Sequence, residues 1–276
     1  MTCPREDGGA GGWRARAQGL VPRSLRHQSP PAHHETGEAL ARRRRIVTGA
    51  GLAGAALLGL SLSSRPGSRR FVVLTMAVAA TWAAGAVGSG PLHLGRIQMR
   101  DASVRRPVVT PVLTGVGAFG LFYVAAVLSR RVPVLDRSLA RVLRFADQGS
   151  TPLVVLTTCA NGVAEELFFR GALYAAVGER HPVATSTAAY AVATAATGNP
   201  ALVLASVVMG VLFALQRRAS GGVEASALTH LTWSVLMLRY LPPLFRRPLP
   251  VHRARGRRAT RSRQSTAAPP RVAYSW

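Results

Sequence analysis

Long runs of apolar residues without a charged side chain occupy most of the middle of the chain. They cover residues 46–62, 71–95, 107–129, 149–164, 182–216 and 225–238, and short arginine-bearing connections separate them. A helix needs about 20 apolar residues to cross the hydrocarbon core of a bilayer. Several of these runs therefore predict transmembrane helices, and the fold class that they indicate is all-α.

Two of the runs do not have the length of one span. As a single helix, the run 182–216 would extend about 50 Å, which is too long for a hydrocarbon core of about 30 Å. Gly198-Asn199-Pro200 within it is a turn signal, so we predict two shorter helices there. The run 149–164 is short by itself, but its continuation to Val177 makes a span of ordinary length that carries ionisable groups.

Seven helices follow from these patterns, at about 46–62, 71–90, 107–129, 151–178, 183–197, 200–216 and 222–241. Residues 132–148 place apolar side chains among arginines and predict a further, amphipathic helix that lies in the membrane interface. We therefore predict a polytopic transmembrane bundle of about seven to eight membrane helices. Arginine-rich flanks favour the cytoplasm, and two basic ends require an even number of crossings, so the topology stays open.

Composition and charge add two basic tails to this picture. The chain has 48% hydrophobic residues and a formal net charge of +24, a mixture that excludes an ordinary soluble domain. Every basic residue is an arginine, and residues 1–45 and 246–276 are especially rich in it. We predict that these two segments are disordered and that residues 46–245 form the transmembrane domain. The absence of lysine indicates codon bias in a GC-rich genome and favours the plasma membrane of a bacterium as the location.

The basic tails also suggest a partner. Clustered arginines next to a membrane domain could bind anionic lipid headgroups electrostatically. Nucleic acid is not expected, because neither interleaved aromatic residues nor a nucleic-acid-binding motif accompanies the charge.

Ionisable side chains are few within the apolar runs, and three of them lie in one helix, namely Glu165, Glu166 and Arg170. A charge at the bilayer centre costs a few kcal/mol, so such residues usually face a cavity and often mark function. Glu166 and Arg170 stand one helical turn apart and are expected to pair. Glu165 lies about 100° around the helix without a cationic neighbour in sequence, which makes it the candidate general base. The alternative, that both acids reach the membrane surface, fits less well because apolar residues continue on both sides.

The last helix carries His230 and Ser234, one turn apart. Both side chains can point into the same cavity, where an imidazole N–H and a hydroxyl could donate to a developing oxyanion. A histidine in an apolar helix also serves as a hydrogen-bond partner between helices, so both interpretations remain open. Glu224, six residues before His230, is expected to be a boundary residue.

These residues resemble the motifs of the CPBP family, the Abi or CAAX-protease-like intramembrane endopeptidases that include the type II CAAX prenyl endopeptidases. The run EELFFR at 165–170 resembles the first motif of the family, and HLTWS at 230–234 resembles its last motif. The resemblance covers roughly residues 115–245.

The resemblance implies a polytopic helical protease that cleaves a membrane-associated protein or peptide. Glu165 would activate a water for attack on a peptide carbonyl, Glu166 would hold Arg170, and His230 and Ser234 would stabilise the oxyanion. Since prenylated CAAX proteins are a eukaryotic feature, a bacterial source argues against prenyl processing as the native reaction.

One position departs from the family pattern. Between the two motifs the family usually has an aromatic residue followed four positions later by histidine, whereas this chain has Tyr190 followed by Thr194. A threonine can hydrogen-bond a water but cannot accept a proton near neutral pH. The strength of the general base would then rest on Glu165 alone, and we expect activity that is weak, altered or absent.

No metal or other cofactor is predicted, and zinc is disfavoured. A catalytic zinc site takes three protein ligands, usually including two histidines, whereas the membrane cavity is expected to offer His230 and, as a second ligand, Glu165. Two alternatives to a peptidase remain. One is a catalytically degenerate relative that binds a membrane partner, and the other is a transporter that uses the buried charges as a relay, although discontinuous-helix signals are missing.

Overall fold

The computed structural model describes residues 22–29, 35–98, 104–149, 151–178 and 180–245, which form an all-α bundle as predicted. A π-helical segment, Glu166–Leu173, joins the helix Thr151–Glu165 to the helix Tyr174–Val177 without a break. Two short strands that the sequence pattern does not predict, β1 (Ile97–Gln98) and β2 (Val104–Arg105), pair antiparallel. The helices are α1 (Arg23–Arg26), α2 (Gly37–Leu62), α3 (Arg69–Ser89), α4 (Val109–Ser129), α5 (Pro133–Gln148), α6 (Thr151–Glu165), α7 (Tyr174–Val177), α8 (Pro182–Ala195), α9 (Pro200–Ser220), α10 (Glu224–Tyr240) and α11 (Pro242–Phe245).

Five helical stretches are long and apolar enough to cross a membrane. They are α2, α3, α4, the continuous stretch Thr151–Val177, and α9. The predicted helices near 183–197 and 222–241 are present as α8 and α10, but they have only 14 and 17 residues. At 1.5 Å per residue these two helices extend about 21 and 26 Å, less than the thickness of a typical hydrocarbon core. The described residues therefore contain five candidate spans.

The first long helix begins earlier than the apolar run predicts. Helix α2 starts at Gly37, because the hydroxyl of Thr36 caps it, and not at Ile46. Arg43 is fully buried there and forms an ion pair with Glu35. The predicted disorder of residues 37–45 is thus wrong, since this arginine has a partner inside the bundle and not in solvent. Residues 22–29 are described and include α1, whereas the predicted disorder and lipid contacts of residues 1–21, 30–34 and 246–276 lie outside the described residues.

The predicted turn between α8 and α9 is confirmed. Gly198 has a φ of 60°, a left-handed conformation that favours glycine. The side chain of Asn199 accepts hydrogen bonds from the backbone N–H groups of Ala201 and Leu202, and Pro200 occupies the first turn of α9. The long apolar run therefore forms two helices.

Helix α5 confirms the predicted amphipathic helix. It buries Leu143 and Phe145 on one face, whereas Arg137, Arg141 and Arg144 are exposed. This division matches a helix with one apolar and one charged face. Its position in the membrane interface remains a prediction.

Close packing between α2 and α3 supports the helix that carries the acid pair. Trp82 of α3 is fully buried, and its ring centroid lies 6.2 Å from that of Phe168 and 5.3 Å from that of Phe169. On α2, a side chain at Gly54 would collide with the Trp82 indole. The absence of a side chain at Gly54 therefore lets α2 approach α3. Phe168 and Phe169 come two and three residues after Glu166, so this contact helps to fix the position of the acid pair.

Candidate active site

The helix changes its winding at the acid pair. After Glu165 the α-helix gives way to the π-helical segment, a rare form that is frequent at functional sites. Two carbonyls of this segment accept hydrogen bonds from other helices. Ser186 Oγ donates to the carbonyl of Phe169 at 2.8 Å, and Arg217 Nε donates to that of Arg170, also at 2.8 Å. Helices α8 and α9 therefore hold the widened turn in place.

Glu166 lies between two basic side chains. Its Oε1 is 3.3 Å from Arg170 Nη1 and 3.1 Å from His230 Nδ1. The side chains of Glu166 and Arg170 are fully buried. Arg170 also donates to the carbonyl of Gly210, and its guanidinium lies 5.1 Å from the ring centroid of Phe213. Through these contacts, Arg170 links the π-helical segment to α9, and Glu166 links it to α10.

Glu165 has different surroundings, although it is adjacent in the chain. The hydroxyl of Tyr190 donates to its Oε2 at 2.6 Å, and His230 Nε2 lies 3.9 Å from the same oxygen. Its side chain is 14% exposed. Because Arg170 pairs with Glu166, Glu165 remains available to the space beside it.

That space is a cavity of about 240 Å³ between α2, α3, α5, α6 and α10. Glu165, His230 and Ser234 line it together with Asn161, and the apolar face of α5 forms part of its wall. Mostly apolar cavities with a few convergent polar groups are typical of binding and active sites. A carboxylate, an imidazole and a hydroxyl that share a cavity can supply a general base and hydrogen-bond donors.

The structure brings five of the six predicted site residues into one group, and the exception is Thr194. Its hydroxyl donates to the carbonyl of Tyr190 at 2.8 Å, one turn earlier on α8, and it lies outside the lining of the cavity. Glu224 pairs with Arg106 at 2.9 Å at the beginning of α10, as expected of a boundary residue. Within the described part of the chain, no three His, Cys, Asp or Glu side chains are arranged to hold a metal ion.

Sequence reasoning missed two contacts and one lining residue of this site. Tyr190 was visible only as an aromatic residue, because its contact with Glu165 joins two helices. Phe213 stacks on the imidazole of His230, with ring centroids 4.8 Å apart, and no pattern in the chain indicates this pairing. Asn161 lies one turn before Glu165, on the same helix face, and that spacing could have identified it.

The match to known proteins falls on the same region. Residues 147–236 match the family model described as type II CAAX prenyl endopeptidase Rce1-like. Residues 147–236 are an Rce1-like domain. The Rce1-like domain begins near the end of α5 and includes the whole acid pair and the last motif, which confirms the resemblance over a narrower range than 115–245. Neither the curated proteins nor the solved structures compared with the chain match it.

Family membership of the Rce1-like domain implies an intramembrane protease that acts on proteins or peptides. Five long apolar helices and this domain together indicate an integral membrane protein.

Proposed function

We propose that this protein is an intramembrane endopeptidase of the CPBP type, in which Glu165 activates a water to hydrolyse a peptide bond of a membrane-associated protein. One observation carries the proposal. Glu165 lines a cavity together with His230 and Ser234, whereas Glu166 is engaged by Arg170 and His230. A base that is not paired with an arginine can accept a proton from water.

In the proposed reaction, Glu165 takes a proton from water while the water oxygen attacks the peptide carbonyl. The oxyanion that forms accepts hydrogen bonds from His230 Nε2–H and from the hydroxyl of Ser234. The C–N bond then breaks, and Glu165 returns the proton to the leaving amine. His230 Nδ1 lies 3.1 Å from Glu166 Oε1, an arrangement that turns Nε2 towards Glu165.

The same proposal includes the location and the membrane topology. We propose that α8 and α10 complete a set of seven membrane helices as short spans, and that α5 lies in the interface as the eighth. The exposed arginines of α5 support its placement beside lipid headgroups. The arginine-only composition supports the plasma membrane of a bacterium, with the basic tails on anionic headgroups.

The first test replaces Glu165 by Gln, which keeps the shape of the side chain but removes the base. Protein reconstituted in liposomes is incubated with fluorescein-labelled casein and with a library of internally quenched apolar peptides, and cleavage is followed by fluorescence and mass spectrometry. Losing a general base typically lowers the rate by about 10²–10⁴-fold, and we expect a loss of this size.

Glu224→Gln is the matched control, because Glu224 pairs with Arg106 at the beginning of α10, outside the cavity lining. This control should cleave like the wild type. Cleavage by Glu165→Gln at the wild-type rate, with the cleavage products confirmed, would contradict the peptidase proposal.

A second candidate is a catalytically degenerate relative that works by binding a membrane partner. The position of Thr194 favours it, because this hydroxyl is bonded to the backbone of its own helix and does not line the cavity. A strain that lacks the gene distinguishes the two candidates. Restoration of the wild-type phenotype by Glu165→Gln would support partner binding, and failure to restore it would support catalysis.

A further inference from the structure

The two carboxylate oxygens of Glu165 differ in their surroundings. Among the described residues, the hydrogen bond that Glu165 accepts comes from the Tyr190 hydroxyl, 2.6 Å from Oε2. His230 Nε2 also lies nearest to Oε2, at 3.9 Å. Hydrogen bonds between a hydroxyl and a carboxylate are short and stronger than neutral ones, so Oε2 is firmly held. Oε1 is the oxygen that remains for a water in the cavity.

Tyr190 itself is held from both sides. Its side chain is buried, and the Arg170 guanidinium lies 4.6 Å from its ring centroid, a cation–π contact. The ring of Phe169 lies 4.9 Å away. These contacts fix the direction of the phenolic hydroxyl before any substrate binds. Tyr190 lies outside the cavity lining, and its hydroxyl acts on the cavity through Glu165.

We propose that Tyr190 is a positioning residue for Glu165, an inference that rests on the proposed function. Its hydroxyl holds Oε2 and turns Oε1 towards the water. In the attack, a water O–H bond breaks, an Oε1–H bond forms and the water oxygen bonds to the peptide carbon. The same proton later leaves Oε1 for the departing amine, and Tyr190 keeps its own proton throughout. A base held in one orientation reacts faster, because part of the entropic cost of alignment has already been met by folding.

The test uses Tyr190→Phe, which removes one oxygen and keeps the ring that packs against Arg170 and Phe169. A small misplacement of a reacting group can lower the rate about 10²-fold. With labelled casein and reconstituted protein, we expect kcat to fall by about this factor while KM stays unchanged. Tyr123→Phe is the matched control, since Tyr123 packs against Phe119 on α4 and should leave kcat unchanged.

A spectroscopic measurement tests the contact without turnover. Infrared difference spectra between the wild type and Glu165→Gln identify the bands of the Glu165 carboxyl group. Tyr190→Phe should shift these bands, and Tyr123→Phe should not. This readout also applies if casein is a poor substrate, and the fall in kcat at unchanged KM is the result that a purely structural role of Tyr190 would not produce.

The outcomes separate the two proposals. If Glu165→Gln abolishes cleavage but Tyr190→Phe keeps both the wild-type kcat and the wild-type bands, the positioning role of Tyr190 is wrong and the proposed function stands. If Glu165→Gln cleaves like the wild type, both are overturned. The inference is supported if Tyr190→Phe lowers kcat and shifts the bands whereas Tyr123→Phe does neither.

Discussion

Glu165 and Glu166 are adjacent in the chain but have different partners, because successive residues of a helix point about 100° apart. Glu166 is fully buried between Arg170 and His230, whereas Glu165 meets Tyr190 and the cavity. A buried carboxylate needs a cationic partner, since desolvation otherwise costs several kcal/mol. Arg170 therefore offsets the cost of burying Glu166. Glu165, the adjacent residue, is not paired with this arginine.

This pairing leads to a prediction for Arg170→Met. The substitution removes the cation but leaves the fully buried Glu166 in place, and we expect the free energy of unfolding to fall by about 3–5 kcal/mol. Reversible unfolding of the detergent-solubilised protein measures the change. The double variant Glu166→Leu/Arg170→Met should recover most of the loss, because no uncompensated charge then remains.

Arg106→Met is the control for this prediction. Arg106 also pairs with a glutamate, but its side chain is 67% exposed, and exposed ion pairs contribute about 0–1 kcal/mol. Equal losses for Arg106→Met and Arg170→Met would show that burial does not determine the strength of the Glu166–Arg170 pair.

Among the elements, the π-helical segment depends on donors from other helices. Ser186 of α8 donates to the carbonyl of Phe169 within it, and both residues are buried. We expect Ser186→Ala to lower the free energy of unfolding by about 1–3 kcal/mol, because a buried carbonyl then loses its partner. Ser206→Ala is the control, since Ser206 donates within its own helix, to Val203, and should cost less. A smaller loss for Ser186→Ala than for Ser206→Ala would contradict this view.

Local patterns predicted most elements, with informative exceptions. The turn at 198–200 and the amphipathic helix α5 have residue-level signals, so they could be found in the sequence. The early start of α2 was missed although Thr36 is a local cap signal, because the burial of Arg43 depends on Glu35 and on Ser89 of another helix. The π-helical segment could not be predicted either, since its geometry is held by side chains from α8 and α9.

At the scale of the whole molecule, glycines on α2 test how the bundle is packed. Gly54 faces the Trp82 indole, and a Cβ there would overlap it, whereas Gly49 on the same helix has open space. We expect Gly54→Ala to lower the free energy of unfolding by about 1–3 kcal/mol through overpacking. Gly49→Ala should be neutral or stabilising by up to about 1 kcal/mol, because alanine favours a helix more than glycine does. Similar effects of both substitutions would contradict close packing of α2 on α3.

The sequence by itself determined that this is a helical membrane protein, which runs are helices, and which two motifs are the candidates for the chemistry. These are local properties, since hydropathy and one-turn spacing can be read from neighbouring residues. Only the tertiary structure decided that Tyr190 reaches Glu165, that His230 reaches Glu166 and that Thr194 stays outside the cavity. Such contacts depend on which faces of distant helices meet. Packing across the bundle, for example between Gly54 and Trp82, determines which faces meet. The residues next to one another in the chain do not show which distant helix each face will contact.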